Sequence, residues 1–275
     1  MHKRGFNGIS TGYMKQYLTL LLTVFVISAG SSGWAKAIEK KIPFQPGEKL
    51  TFQVRWAFIP AGEAVLEVRP IMMVNGVRAY HFVMFAKTYE YIDLFYKVRD
   101  RIDSYTDIGM NHAILYKKRS KGKSKKDVIV KFDWENQQVQ YSNFGEKRDP
   151  IPLLPGSFDP LSVFYAFRLF ELVKDAEIEA SLTDGKKSVI GKARIIKRET
   201  IKVPSGEYDT YLVEPDIEHL GGVFKKSKNA KLQIWVTAHE QHIPVRVKSK
   251  VKVGSFVADL ISIESIDHDK KPIPK

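Results

Sequence analysis

Alternation of apolar and polar side chains along short segments is the feature that most restricts how this chain can fold. Leu50–Trp56 (LTFQVRW) places every second side chain on one face, and Ala64–Arg69 and Tyr96–Tyr105 repeat the pattern. A period of two is typical of half-buried strands. Turn pairs such as Asn75-Gly76 and Asp184-Gly185 separate such segments. We therefore predict a mainly β fold of antiparallel curved sheets, forming a barrel, a half-barrel or a sandwich.

One segment breaks the alternation and predicts a helix. Asp159 suits the N-cap position and Pro160 the first helical position, and Leu161–Val173 is almost wholly apolar. A helix that is apolar nearly all round is buried or packs against a sheet. We expect one central helix near residues 160–173, and a second, short helical piece at Tyr89–Phe95.

The chain divides into three predicted parts. They are a signal peptide over residues 1–37, a β-rich domain over 38–266 and a disordered tail over 267–275, which is rich in lysine and proline. Within the domain, two β-rich halves, about 42–147 and 175–266, are joined by a crossover and helix at 148–174. The pattern leaves open whether these halves form one barrel or two sheets.

The predicted signal peptide places the protein in the bacterial envelope. Tyr17–Ala29 is an uncharged run of thirteen residues in a leader with four cations and no acid. That run is short for a membrane span but suits the core of a signal peptide. Ala35-Lys36-Ala37 fits signal peptidase, so we expect cleavage after Ala37, a periplasmic location and no stable membrane insertion afterwards. An uncleaved anchor is the alternative, and translation starts at Met1 or Met14.

Cysteine is absent from the whole chain. A bacterial lipoprotein requires a cysteine at its cleavage site, so this sequence predicts a protein that is not a lipoprotein. Disulfides and thiolate metal sites are excluded for the same reason. The predicted mature chain has 238 residues and is long enough to bury a sizeable core without such cross-links.

A positive charge favours anionic partners. The full chain carries +13, and removal of the leader's four cations leaves +9. In the envelope such partners are lipopolysaccharide, anionic phospholipid and acidic polysaccharide, whereas nucleic acid is excluded by the predicted location. Much of the excess lies in one segment, whose seven cations are Lys117, Lys118, Arg119, Lys121, Lys123, Lys125 and Lys126. This segment is interpreted either as a solvated hairpin tip or as a docking patch for phosphate or carboxylate groups.

Aromatic side chains are dense near an acidic stretch that contains Asp93, Asp100, Asp103 and Asp107. Tyr89, Tyr91 and Tyr96 occur within eight residues of one another. Aromatic residues in a curved sheet can line an apolar cavity for an acyl chain or a glycan, and the alternative is an ordinary core. We take the three tyrosines together with the seven cations as candidate ligand-binding residues.

No catalytic or metal-binding signature emerges from the sequence. His239 and His242 are three residues apart and precede Pro244, so they do not share a helix face as zinc-protease histidines do. Ser157 lacks the following glycine of a nucleophile elbow. Asp100 and Asp103 alternate with arginines on a predicted strand, which favours ion pairs over the paired acids of a glycosidase. We predict no catalytic residue, no metal and no cofactor.

Several segments resemble a known family when they are taken in order. They are Pro46–Phe52, Ala61–Ala64, Phe158–Ser162 with Arg168, Asp184–Lys186, Val203–Thr210, Ile234–Val236 and Ile243–Arg246. Their order and spacing resemble the domain of unknown function 3108 family of exported bacterial proteins, over about residues 42–265. The resemblance implies a secreted, largely β protein, and it carries over no activity and no catalytic residue.

These observations together favour a non-enzymatic envelope protein. We expect it to bind or shuttle an amphipathic or anionic component, such as a lipid, lipopolysaccharide or polysaccharide, in a sheet-lined groove covered by the 160–173 helix. The alternatives are a glycan-modifying hydrolase and a structural or assembly partner of an envelope complex. The sequence leaves the ligand and the oligomeric state open.

Overall fold

A computed structural model describes residues 41–122, 125–216, 230–251 and 254–265. The predicted signal peptide and the predicted tail both lie outside these residues. The strands are β1 Lys49–Trp56, β2 Ile59–Val74, β3 Val77–Thr88, β4 Arg99–Asp107, β5 Ala113–Ser120, β6 Lys126–Asp133, β7 Gln138–Asn143, β8 Glu146–Lys147, β9 Ile151–Pro152, β10 Glu177–Thr183, β11 Ser188–Val203, β12 Gly206–Pro215, β13 Lys231–Thr237, β14 Pro244–Val251 and β15 Gly254–Glu264. The helices are α1 Glu90–Asp93 and α2 Ser162–Ala166, and a 3-10 turn follows at Phe167–Leu169.

The strands of the described residues form one antiparallel sheet that is not closed. Strands β1 to β8 follow one another in space as they do in sequence, and so do β10 to β15. The two series meet where β1 pairs with β15, from Lys49 opposite Glu264 to Trp56 opposite Phe256. The predicted mainly β, antiparallel fold is confirmed, and the strands of both sequence halves belong to one sheet.

The segment after β9 connects the two ends of this sheet. Strand β9 pairs with β7. Further along, Phe158 forms a bridge to Leu182 of β10, and its backbone amide donates to the Ser181 carbonyl at 2.9 Å. This short stretch of chain therefore contacts both the β7 side and the β10 side of the open sheet, which curves the sheet around the helical segment.

Turns and strands lie close to where the alternation predicts them. Asn75 and Gly76 both have positive φ, as a tight two-residue hairpin requires. Strand β11 is continuous from Ser188 to Val203, although the alternation along it is interrupted. Its pairing with β12 shifts register between Ile195 and Lys197. A β-bulge of this kind changes which face the side chains occupy and so interrupts the alternation without ending the strand.

The predicted helix over residues 160–173 is wrong in length. Only α2 and the 3-10 turn are helical, and Phe170 is already extended. Asp159 nevertheless caps the start, because its Oδ1 accepts the backbone amides of Leu161 and Ser162 at 2.8 and 3.0 Å. The segment SVFYAFRLF is rich in aromatic and β-branched residues, which have low helix propensity, so packing against the sheet decides its conformation. The short helical piece predicted near residues 89–95 is present as α1.

Aromatic rings join the helical segment to the sheet. The ring of Tyr165 stacks on that of Phe82 with centroids 4.0 Å apart, and Phe44 meets both rings edge-on. All three side chains are buried in the main core, which lies between this segment and the concave face of the sheet. None of the helices in the described ranges has both the length and the apolar character needed to cross a membrane.

Candidate functional site: a cavity beneath the helical segment

A cavity of about 840 Å³ lies between the helical segment and the sheet. Val163, Phe164 and Phe167 form the wall on the helical side, while Ala180 and Leu182 of β10 contribute to the opposite wall. Its volume is within the range of small-molecule sites, which are commonly lined by apolar and aromatic groups with a few polar ones. This cavity is therefore the candidate functional site.

The two walls follow from local sequence. Ile178, Ala180 and Leu182 alternate along β10 and turn the same face towards the cavity. Gly191 stands opposite Ala180 in the register, and a Cβ at this glycine would lie 2.4 Å from a Leu182 methyl carbon. A glycine at this point lets Leu182 pack closely over β11, so that the wall remains thin beside the cavity.

Charged side chains also line the cavity. Lys118 of β5 places its Nζ 3.3 Å from an oxygen of Asp100. Lys192 of β11 stands opposite Glu179 in the register, and its ammonium pairs with Glu179 and Glu177 at 2.5 and 2.9 Å on the exposed face of β10, away from the cavity. These hydrogen bonds raise the pKa of that ammonium group. The lining is thus amphipathic: it is mainly apolar, and it includes a lysine of β5 that is paired with a carboxylate of β4.

Tyr116 adds a neutral polar group to the same wall. Its side chain is buried. Burial, followed by the charges of Asp159 and Asp184, raises the pKa of its hydroxyl. The hydroxyl therefore stays protonated at physiological pH and is able both to donate and to accept a hydrogen bond.

A buried carboxylate anchors the start of the helical segment. Asp159 is fully buried, and its Oδ2 accepts hydrogen bonds from Ser104 Oγ at 2.5 Å and Ser162 Oγ at 2.8 Å. Burial raises the pKa of this carboxyl group, and the hydrogen bonds from both serines counteract that rise. Ser104 belongs to β4, so this contact fixes the helical segment to the sheet. Sequence pattern alone gives the cap but not its partner on β4.

A buried ion pair anchors the end of the same segment. Arg168 Nη1 and Nη2 donate to the two oxygens of Glu48 at 2.6 and 3.0 Å, and both side chains are buried. The guanidinium also donates to the carbonyl oxygens of Pro43 at 3.2 Å and Gln241 at 2.9 Å. It therefore holds together the helical segment, the start of β1 and the β13–β14 turn, and we refer to it as the Arg168 clamp.

Among the predicted basic residues, Lys117, Lys118 and Arg119 lie in β5 and not at a hairpin tip. Of the described members of this group, Lys118 lines the cavity, whereas Lys117 and Arg119 are exposed on the other face of β5. The remaining predicted cations, Lys121, Lys125 and Lys126, are exposed at the β5–β6 connection, and Lys123 lies outside the described residues.

The predicted tyrosines are placed apart from the cavity. Tyr89 precedes α1, Tyr91 lies within α1 and Tyr96 follows it. Tyr91 and Tyr96 are about half exposed, and Tyr91 donates a hydrogen bond to the Pro60 carbonyl. The structure therefore brings only Lys118, of the ten predicted ligand-binding residues, to the cavity wall as far as the described residues show.

The weaker candidates occupy structural positions. His239 and His242 lie in the β13–β14 turn, where His242 Nδ1 is 3.0 Å from the carbonyl oxygen of Arg168. Burial lowers the pKa of His239. On β4, Arg101 donates to Asp103 at 2.7 and 2.8 Å, and His81 lies 2.8 Å from the same carboxylate. Burial alone would raise the pKa of Asp103, but these partners outweigh it and lower that pKa. Asp103 is thus an ion-pair member on the outer face.

The fold has relatives among solved structures. A β-barrel-like protein of the domain of unknown function DUF1849 from Brucella abortus superposes with a TM-score of 0.52 at 9% identity, covering 81% of this chain and 98% of that one. A candidate exported protein with a YmcC-like fold from Bacteroides fragilis gives 0.35 at 9% identity, covering 81% and 97%. A candidate lipoprotein from Parabacteroides distasonis gives 0.33 at 12% identity, covering 80% and 95%. The Brucella protein supports a barrel-like architecture, and the other two carry no further argument.

Sequence comparison identifies the family. No curated protein matches this chain significantly. The sequence model of the protein family of unknown function DUF3108 matches residues 51–261, which is most of the chain. This match includes Asp159, Arg168 and the strands that form the cavity. The chain belongs to the DUF3108 family of proteins of unknown function.

Proposed function

We propose that this protein binds an amphipathic, anionic component of the bacterial envelope and holds its acyl portion in the cavity. The observation that carries the proposal is the cavity itself: about 840 Å³, apolar along the helical segment and β10, with Lys118 in its lining. An apolar interior favours hydrocarbon, at about 0.8 kcal/mol per buried methylene. Lys118 offers a place for a phosphate or carboxylate group.

The location predicted from the sequence supports the same proposal. The predicted signal peptide, with cleavage after Ala37, would deliver the protein to the periplasm, where such lipids are exposed to soluble carriers. The helical segment fixed by Asp159 and the Arg168 clamp would form a permanent wall of the cavity, because both anchors are buried. Binding then requires little rearrangement of the protein, which lowers its entropic cost.

A filling variant tests the proposal directly. Ala180→Trp places a large ring in the cavity, whereas Glu179→Trp places the same ring on the opposite, exposed face of β10 and serves as the matched control. The protein purified from the periplasm is weighed by native mass spectrometry and then titrated with cis-parinaric acid, an anionic fluorescent fatty acid. Displacing about two methylenes corresponds to more than a tenfold loss of affinity.

Three outcomes decide the matter. A lipid-sized bound mass or saturable cis-parinaric acid binding in the wild type, lost in Ala180→Trp and kept in Glu179→Trp, supports the proposal. Equal losses in both variants would show that the probe does not occupy the cavity. A wild type with neither a bound mass nor probe binding would refute the carrier function. The intact mass also reports whether the mature chain starts at residue 38.

A further inference from the structure

One end of the sheet carries a cluster of exposed apolar side chains. We refer to Phe58, Tyr91, Leu94, Phe95 and Tyr96 as the aromatic rim. Phe58, Leu94 and Phe95 are 84%, 85% and 78% exposed. Scattered exposed apolar residues are ordinary in proteins, but large aromatic and aliphatic groups gathered in one place mark an interaction surface.

The rim brings together two separate parts of the chain. Phe58 lies in the β1–β2 turn, and the other four residues lie in and after α1. The Tyr91 hydroxyl donates to the Pro60 carbonyl, and the Tyr89 amide donates to the Ala61 carbonyl at 3.0 Å. These bonds hold α1 beside the turn, so that Phe58 and the α1 residues project at the same end of the sheet.

An ion pair fixes the shape of the rim. Arg99 Nη2 donates to Asp93 at 2.6 Å, and Arg99 Nη1 donates to the Thr88 carbonyl at 3.0 Å. Thr88 Oγ1 in turn donates to Asp93 and accepts the Val98 amide. The loop from Thr88 to Arg99 is therefore closed at its base, and the apolar groups remain exposed instead of collapsing onto the sheet.

Cations border one side of this apolar surface. We refer to Lys97, Arg119, Lys121, Lys125 and Lys126, all exposed, as the basic flank. The loop after α1 and the β5–β6 connection are in close contact at Gly122, where a Cβ would lie 2.1 Å from the Lys97 carbonyl oxygen. Residues 89–99 and the described part of 119–127 together contain six cationic and three acidic side chains. The flank therefore keeps a positive surplus even though Arg119 lies 3.6 Å from Asp127.

We propose that the aromatic rim and the basic flank together form a docking surface for an anionic phospholipid bilayer. Apolar side chains enter the boundary between headgroups and acyl chains, and aromatic rings with polar atoms such as tyrosine favour that depth. Lysine and arginine near an anionic surface add electrostatic attraction. An anionic bilayer therefore matches both parts of the surface: its acyl boundary accommodates the aromatic rim, and its charged headgroups attract the basic flank.

The docking surface adjoins the cavity through β4 and β5. Lys118 lines the cavity and directly precedes Arg119 of the basic flank. Asp100, which pairs with Lys118, directly follows Arg99 at the base of the rim. This proposal deepens the proposed function and rests on it, since docking would place the cavity of a lipid carrier close to its source of lipid.

Vesicle flotation tests the docking surface. The purified protein is mixed with vesicles of phosphatidylcholine alone or with about 30% phosphatidylglycerol, an anionic lipid. The triple variant Phe58→Ser/Leu94→Ser/Phe95→Ser removes the most exposed rim groups. The matched control Met73→Ser/Val77→Ser/Val173→Ser removes three exposed apolar side chains that lie outside both the rim and the flank. We expect the wild type and the control to float with the anionic vesicles, and the rim variant to bind at least tenfold more weakly.

The contrary results are equally definite. If the wild type fails to float with anionic vesicles, or the rim and control variants lose binding equally, the docking surface is refuted and the rim would instead face a protein partner. Titration with cis-parinaric acid separates this result from the proposed function. A protein that binds the fatty acid but not vesicles refutes docking alone, whereas one that binds vesicles but not the fatty acid refutes the carrier function alone.

Discussion

Removing both members of the Arg168 clamp should destabilise the protein by clearly less than the sum of the two single removals. Glu48→Leu leaves a buried guanidinium without its counter-charge, and Arg168→Met leaves a buried carboxylate. Breaking a buried pair from one side typically costs about 3–5 kcal/mol, whereas replacing both members by apolar groups is often neutral. The effect should therefore be strongly non-additive.

The magnitude follows from the contacts of the guanidinium. Two single variants at about 3–5 kcal/mol each would sum to about 6–10 kcal/mol. In the double variant no unpaired charge remains, and the main loss is the two carbonyl oxygens of Pro43 and Gln241, at about 1–3 kcal/mol each. We expect the double variant to be at least about 2 kcal/mol more stable than the sum of the singles predicts.

Urea unfolding of the four proteins measures this difference through the midpoint and slope of each transition. Glu48→Gln serves as a milder control, because it removes the charge but keeps a hydrogen-bonding side chain of the same shape. A coupling free energy below about 1 kcal/mol would refute the reasoning, since it would mean that the two charges are solvated independently.

Two further predictions concern buried polar groups of the helical segment. The hydroxyl of Tyr165 is buried and has no hydrogen-bond partner within the described residues. Tyr165→Phe should therefore change the unfolding free energy by less than about 1 kcal/mol or stabilise the protein, whereas Tyr165→Ala should lose about 3–5 kcal/mol. A large loss in the phenylalanine variant would reveal a partner for the hydroxyl. Because burial raises the native pKa of Asp159, its contribution to stability should be complete below about pH 3.9 and decline as pH rises through the native pKa. Asn can retain the two backbone hydrogen bonds and donate to both serine hydroxyls, so Asp159→Asn should flatten this decline in pH-dependent unfolding curves, and an unchanged slope would contradict the assignment.

Local structure was predictable because it depends on neighbouring residues. Alternation located most strands, Asn75-Gly76 located a hairpin turn, and Asp159 located the start of the helical segment. The sequence overestimated the helix because an apolar run has the same composition whether it continues as a helix or packs in an extended form. Here the aromatic and β-branched side chains favour tertiary contacts over helical hydrogen bonds beyond Leu169.

Long-range contacts were not predictable from pattern. Glu48 and Arg168 both belong to segments that resemble the family, but nothing in the pattern of either segment links the two residues. Their pairing across 120 residues becomes visible only when the sheet curves around the helical segment. The cavity could not be predicted for the same reason. The alternation of Ile178, Ala180 and Leu182 indicates one apolar face of β10 but not the space in front of that face.

The pairing of β1 with β15 sets an order on the folding of this chain. These are the first and last strands of the described residues, and the residues that pair are separated by roughly 200 positions, as are Lys49 and Glu264. Such a pair closes a long loop, which is entropically costly and slow. The series β1 to β8 and β10 to β15 are each built from neighbours in sequence and can assemble locally, but each exposes an unpaired edge until the other arrives. Completion of the sheet therefore waits for the final strand, and a chain that ends before β15 would keep β1 open to other molecules.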